Sequence, residues 1–297
     1  MLKHFIYNSI LCMFFLSSST FAAKPAFLRR TVSDVKEQAI DIGTETAHYK
    51  PLFGLGDPNA HDVNAVACFG ELTVDPGGSS KIVNYDNQEQ IYYIIDGNGT
   101  LIYGQEKVPV KKDDFMYLPA GVEHGISNTS KESVRLLIMG YKIPEGTTVR
   151  PTEKIMLANA DDVQLQILGQ HGPTTQFKLL MGTTFSQRDK IAAASQANSL
   201  FLMDFAAGGT NIPHNHPVEE EIYYVLKGHG DMVAGSDSEG KEIRHPSKAG
   251  DAFYFTPGTL IGFYSGNTDE EGHAQIIAIR SNLPGRAVRG VRGMGSR

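Results

Sequence analysis

Gln90-Ile91-Tyr92-Tyr93-Ile94-Ile95-Asp96-Gly97-Asn98-Gly99 is matched further along the chain by Glu221-Ile222-Tyr223-Tyr224-Val225-Leu226-Lys227-Gly228-His229-Gly230. Each copy is a run of β-branched and aromatic residues closed by a Gly-x-Gly turn, the pattern of a strand leaving into a hairpin. A second matched pair follows, Asp113–Gly121 with Gly250–Gly258. The offset is 131 residues at the first pair and 137 at the second, which places six extra residues in the polar hairpin around Gly235–His245. A duplicated set of short strands with Gly and Pro turns, and no long stripe of period 3.6, predicts an all-β chain of two tandem barrels or sandwiches.

Working outward from the repeats, the boundary falls near residue 150. Residues 23–150 form a first barrel with an N-terminal arm, and residues 151–284 a second. Residues 285–297, four Arg among glycines with no apolar pattern, read as a solvated tail. At the other end Lys3, the apolar run Ile10–Leu16 and Thr20-Phe21-Ala22 read as a signal peptide over residues 1–22. That predicts a secreted or periplasmic protein beginning at Ala23. The apolar run is too short to span a bilayer, so the mature chain is expected off the membrane. Cys12 leaves with the signal, and Cys68 alone cannot form an internal disulfide. With 41% apolar residues, 20% charged residues and a formal charge of -6, the composition is that of a globular protein. It gives no reason to expect nucleic acid or an anionic surface as partner.

The second copy carries the chemistry. It reads Gly208, five residues, His214, Asn215, His216, four residues, Glu221, six residues, Gly228. Two His two residues apart on a strand present both imidazoles to one face. A carboxylate at the start of the next strand joins them, a ligand set for Fe(II), Mn(II), Ni(II) or Zn(II). This spacing resembles the first motif of the cupin family at every fixed position. The resemblance implies two double-stranded β-helix (jelly-roll) barrels and one divalent transition metal, Fe(II) or Mn(II) before Zn(II) or Ni(II), held by His214, His216 and Glu221. The family's second motif supplies a fourth His ligand, but here that position is Ile261. Two His and one carboxylate then resemble the facial triad of non-haem iron enzymes. The first copy has the complementary pattern. Gly78, Asn84, Asp86, Gln90 and Gly97 occupy its first-motif positions, while Pro119, Gly121, His124 and Asn128 preserve the second motif. One carboxylate among neutral amides is a poor cation cage, so Asn84, Asp86, Gln90 and His124 are expected to line a barrel without a tightly held metal.

Alternation along the strands places the neighbours. Tyr223 and Val225 share the face of Glu221, and Ile222, Tyr224 and Leu226 face the other way. Ile261 and Phe263 are expected as an apolar pocket wall. Gln275 is the candidate polar group on the returning strand, and with Tyr223 a weak catalytic candidate. Neither is an effective base at neutral pH. The function expected is an exported metal-dependent enzyme of dioxygenase type acting on a small oxygen-rich or aromatic acid. A non-redox isomerase or lyase for a sugar acid, or a binding protein using the metal as an anchor, would share the same motif. A bicupin can pair its barrels within one chain, which favours a monomer over a dimer.

Overall fold

The computed structural model describes residues 24–147, 149 and 154–283. The expected signal peptide and the Arg/Gly tail lie outside these residues. An arm strand β1 (Phe27–Thr31) precedes the first barrel. That barrel comprises β2 (Ala47–Gly54), β3 (Val66–Val74), β4 (Gln88–Asp96), β5 (Asn98–Tyr103), β6 (Glu106–Lys111), β7 (Asp114–Leu118), β8 (His124–Ser127) and β9 (Val134–Lys142). After β10 (Met156–Asn159) the second barrel follows with β11 (Thr175–Thr183), β12 (Ile191–Ala194), β13 (Ala197–Phe205), β14 (Glu219–Lys227) and β15 (His229–Ser236). It closes with β16 (Glu242–Lys248), β17 (Asp251–Phe255), β18 (Ile261–Ser265) and β19 (Ala274–Asn282).

Each barrel is a large sheet facing a three-stranded one. The large sheets run β10-β7-β4-β9-β3-β2 and β1-β17-β14-β19-β13-β11-β12, and the small ones β6-β5-β8 and β16-β15-β18. The six extra residues fall in the β15–β16 hairpin, which is longer than its counterpart β5–β6. The structure refines the division at residue 150. β1 completes the second barrel's sheet by pairing with β17, and β10 completes the first by pairing with β7. Each barrel therefore borrows its edge strand from the far side of that boundary, which covers backbone groups that an open edge would expose.

Three apolar cores follow from strands that are buried on both faces. One fills the first barrel (Tyr92, Leu101, Met116, Leu136) and another the second (Phe177, Met203, Tyr223, Phe253). The third lies between the large sheets, with Phe69, Ile91, Tyr117 and Met139 against Leu202, Ile222, Tyr254 and Ile277. Ile222 and Tyr224 thus do face away from the second barrel's interior, into the seam between barrels. A buried carboxylate from each barrel locks this seam. Glu89 accepts hydrogen bonds from the backbone N–H groups of Ser195 (2.6 Å), Gln196 (2.8 Å) and Ala197 (2.8 Å), and from the Tyr117 hydroxyl (3.0 Å). Its counterpart Glu220 accepts from Asn64 N–H (3.1 Å), Ala65 N–H (2.9 Å) and the Tyr254 hydroxyl. The repeat thus supplies both halves of a pseudo-twofold interface.

Candidate metal centre

His214 and His216 precede β14 on a segment that runs beside β18, with His214 and Ile261 exchanging both backbone hydrogen bonds (2.9 and 2.8 Å). Two residues upstream Ile212 sits at φ +51°, a left-handed conformation unfavourable for a β-branched side chain. Its carbonyl lies 3.0 Å from His214 Nδ1. A proton on Nδ1 donated to that carbonyl leaves the Nε2 lone pair for a ligand, the usual way a metal-binding imidazole is oriented. Ligand atoms of His214, His216 and Glu221 lie within 4.8 Å of one another, and this is the one such group among the described residues.

These side chains fit a divalent transition metal on their own chemistry. Glu221 is buried, yet neither carboxylate oxygen accepts a well-formed hydrogen bond, and its one close ion-pair contact is with His216. His216 Nε2 is 3.1 Å from Glu221 Oε2, and its Nδ1 is 3.5 Å from Glu219 Oε2. An unsatisfied buried carboxylate is costly unless a cation completes it. Burial lowers the pKa of His214, with the Ile212 carbonyl acting in the opposite direction, so the imidazole favours its neutral, ligating form.

The triad borders a small pocket, partly open to solvent. Its apolar lining comes from Leu168, Phe177, Leu179, Phe201 and Met203, and its polar lining from Tyr223, His171, Arg188, Ser199 and Arg280. Tyr223 lies where the sequence placed it. Its hydroxyl accepts a hydrogen bond from the amide of the buried Asn211 (3.2 Å), and burial raises its pKa far above the ordinary value, which rules it out as a base.

Two expectations about the pocket are corrected. Val225, Ile261 and Phe263 point into the second barrel but belong to its packed core, away from the cavity wall. The side of the triad next to Ile261 is filled, and the open side faces β11, β13 and β19. Gln275 faces out of the barrel, where its amide donates to Asp204 (2.9 Å) and His273 Nδ1 also meets Asp204. On β19 it is Ala274, Ile276 and Ala278 that face inward, and Ile277 and Ile279 lie in the seam. Both faces of that strand are apolar, so alternation gives its period but not which phase is inside.

The two apolar faces also hid Arg280, which lies on the inner face directly opposite Glu221 on one side and Ser199 on the other. His171 was missed as well. It rides on the loop before β11, with its ring 4.9 Å from that of His214, and burial, then the neighbouring His214, lower its pKa to about 4.

The first barrel corrects the expected alignment by one residue. Val83 exchanges backbone hydrogen bonds with His124 as His214 does with Ile261, and the left-handed Gly77 (φ +75°) matches Gly208 (φ +65°). The positions matching His214 and His216 are therefore Val83 and Tyr85, where the sequence reading placed Asn84 and Asp86. A one-residue slip turns a side chain to the opposite face. Asn84 and Asp86 are accordingly exposed, and Asn84 only reaches the Gly121 carbonyl at 3.4 Å. Gln90 and His124 are buried, Gln90 against Cys68 Sγ (3.7 Å) and His124 with Nδ1 2.8 Å from the Val122 carbonyl. The four expected residues do not converge.

A family model described as "Cupin domain" matches residues 70–140 and 201–280. The chain belongs to the cupin family, as a protein of two cupin barrels. Among curated relatives, a germin-like protein of Arabidopsis thaliana (subfamily 2 member 1) is 40% identical over 87 residues, 29% of this chain and 38% of that one. An oxalate-binding protein of Thermotoga maritima is 28% identical over 74 residues, 25% of this chain and 61% of the relative. These matches span less than two thirds of either relative. The fold is shared with an oxalate decarboxylase of Lactobacillus farciminis at a TM-score of 0.64 and 12% identity, over 88% of this chain and 87% of that one.

Proposed function

We propose that this chain is a metal-dependent enzyme whose second barrel acts on a small acid, by oxygen-dependent chemistry of dioxygenase type. The observation that carries the reading is Glu221, a buried carboxylate whose oxygens accept no well-formed hydrogen bond, grouped with two imidazoles beside a small, partly open pocket. His214, His216 and Glu221 would hold the metal. Bound there, a divalent ion such as Fe(II) or Mn(II) supplies Lewis acidity and, for iron, access to oxygen chemistry. The residues around it exclude water through Phe177, Phe201 and Met203 and set a positive wall through Arg188 and Arg280. Similar proteins, one named for oxalate binding and another for oxalate decarboxylation, support a small acidic ligand.

Export completes the proposal, resting on the signal-like residues 1–22. The decisive experiment loads the protein separately with Fe(II), Mn(II), Zn(II) and Ni(II). Oxygen uptake is then followed with a panel of small acids, in air and under argon. Stoichiometric oxygen consumption with iron or manganese is expected. Equal turnover under argon would move the protein to the non-redox isomerase or lyase class. Binding without turnover under any metal would make it a binding protein.

A further inference from the structure

Two arginines, Arg188 and Arg280, line the cavity beside the triad. Arg280 is mostly shielded from solvent, yet its contacts are long. Nη1 is 3.4 Å from His216 Nδ1 and 3.7 Å from Glu219 Oε2, and Nε is buried without a partner. Arg188 enters from the β11–β12 loop, where Nη2 donates to Ser199 Oγ at 3.4 Å and Nε lies 3.6 Å from Asp189. Ser199 stands directly across the sheet from Arg280. Both guanidiniums line the cavity, the exposed Arg188 donating to the buried Ser199 hydroxyl, and among the described residues their ion-pair partners are Glu219 and Asp189, both beyond 3.5 Å. Planar forks of this kind suit a carboxylate, which they can grip through paired N–H donors.

The first barrel supplies the contrast. Gly140 occupies the position of Arg280 opposite Gln90, and Cys68 the position of Ser199. A Cβ built on Gly140 would lie 2.6 Å from both Cys68 Sγ and Gln90 Nε2, so that interior is closed where the second barrel keeps its arginine. The barrel lacking the ligand triad therefore also lacks the cationic wall.

We propose that Arg188, Ser199 and Arg280 form an anion subsite that anchors a second carboxylate of the substrate, making the substrate a short diacid longer than oxalate. The dimensions follow from the register. Neighbouring strands lie about 4.8 Å apart, so the backbone positions of Glu221 and Ser199, one strand to either side of Arg280, stand roughly 10 Å apart. The two carboxyl carbons of oxalate are bonded to each other and cannot bridge that interval. A diacid of about four to six carbons can, given carbon–carbon bonds of about 1.5 Å. Phe201, Phe177 and Met203 suit its apolar middle. The inference rests on the proposed function only for the end that meets the metal.

The test is calorimetric titration of the Mn(II)-loaded and metal-free protein with succinate, oxalate and butyrate, alongside metal analysis of every sample. Succinate should bind the loaded protein at least tenfold more tightly than either of the others. Arg280→Gln and Arg188→Gln should each abolish its advantage over butyrate while leaving metal content unchanged. Retention of an arginine-dependent preference in protein that takes up no metal would uphold the subsite and refute the metal reading alone. Succinate binding absent from the loaded wild type, or equal in wild type and both variants, would overturn the subsite. So would loss of metal in Arg280→Gln without a change in Arg188→Gln, which would make Arg280 a support for His216.

Discussion

The two barrels share the order of their common strands, seam contacts and turn positions, and apart from the longer β15–β16 hairpin and the added strand β12 they differ most at a cluster of inward-facing side chains. Where the second has His214, His216, Glu221, Ser199 and Arg280, the first has Val83, Tyr85, Gln90, Cys68 and Gly140. The exchange also runs the other way, since the first keeps His124 where the second has Ile261. One duplicated scaffold therefore holds a charged, partly open site in one copy and a packed interior in the other. The scaffold fixes where side chains point, and a handful of residues at those points decides whether the barrel can hold anything.

The largest expected effect lies in the scaffold that the barrels share. Glu89→Ala removes the acceptor for three buried N–H groups and the Tyr117 hydroxyl. A loss of roughly 3–5 kcal/mol is expected in chemical denaturation. A loss below about 1 kcal/mol would mean that the barrels are not joined through this carboxylate.

A smaller effect separates the interiors. Burial lowers the His124 pKa to about 4. In the unfolded chain this imidazole titrates near 6.5, so between pH 6.5 and 4 the unfolded state binds more protons and stability falls as pH falls. The window corresponds to about 3 kcal/mol. Stability measured at pH 7 and pH 4 should show a reduced difference in His124→Gln, and an unchanged difference would contradict the burial of a neutral ring there. The smallest effect sharpens the comparison at the shared position. Ile261→His gives the second barrel the imidazole that the first retains, and metal affinity should rise about tenfold, roughly 1.4 kcal/mol. A fall in affinity would show that the packed side of the triad cannot admit a ligand.

The fold was legible because the repeat Gln90–Gly99 and Glu221–Gly230 combines strand composition with turn glycines at a fixed interval. The triad was legible for a related reason, because three ligands of two types at strand spacing survive any uncertainty of register. Positions that depended on phase were lost. Asn84 and Asp86 were assigned to the interior because the first copy was aligned one residue off, and the paired glycines Gly77 and Gly78 allow either frame. Arg280 was read past because both faces of β19 are apolar, one toward its own barrel and one toward the seam. His171 and Arg188 lie on loops outside the repeated motifs, and no spacing announces them. The exchange of β1 and β10 between barrels is a tertiary event that local pattern does not encode.

The central claim is that one barrel binds metal and its twin does not. The direct measurement is metal content per chain, after purification without an affinity tag, for the wild type, His214→Ala, Glu221→Ala and His124→Ala. The account predicts one equivalent of a divalent transition metal in the wild type and in His124→Ala, and none in either triad variant. Two equivalents in the wild type, or loss of metal from His124→Ala, would contradict it.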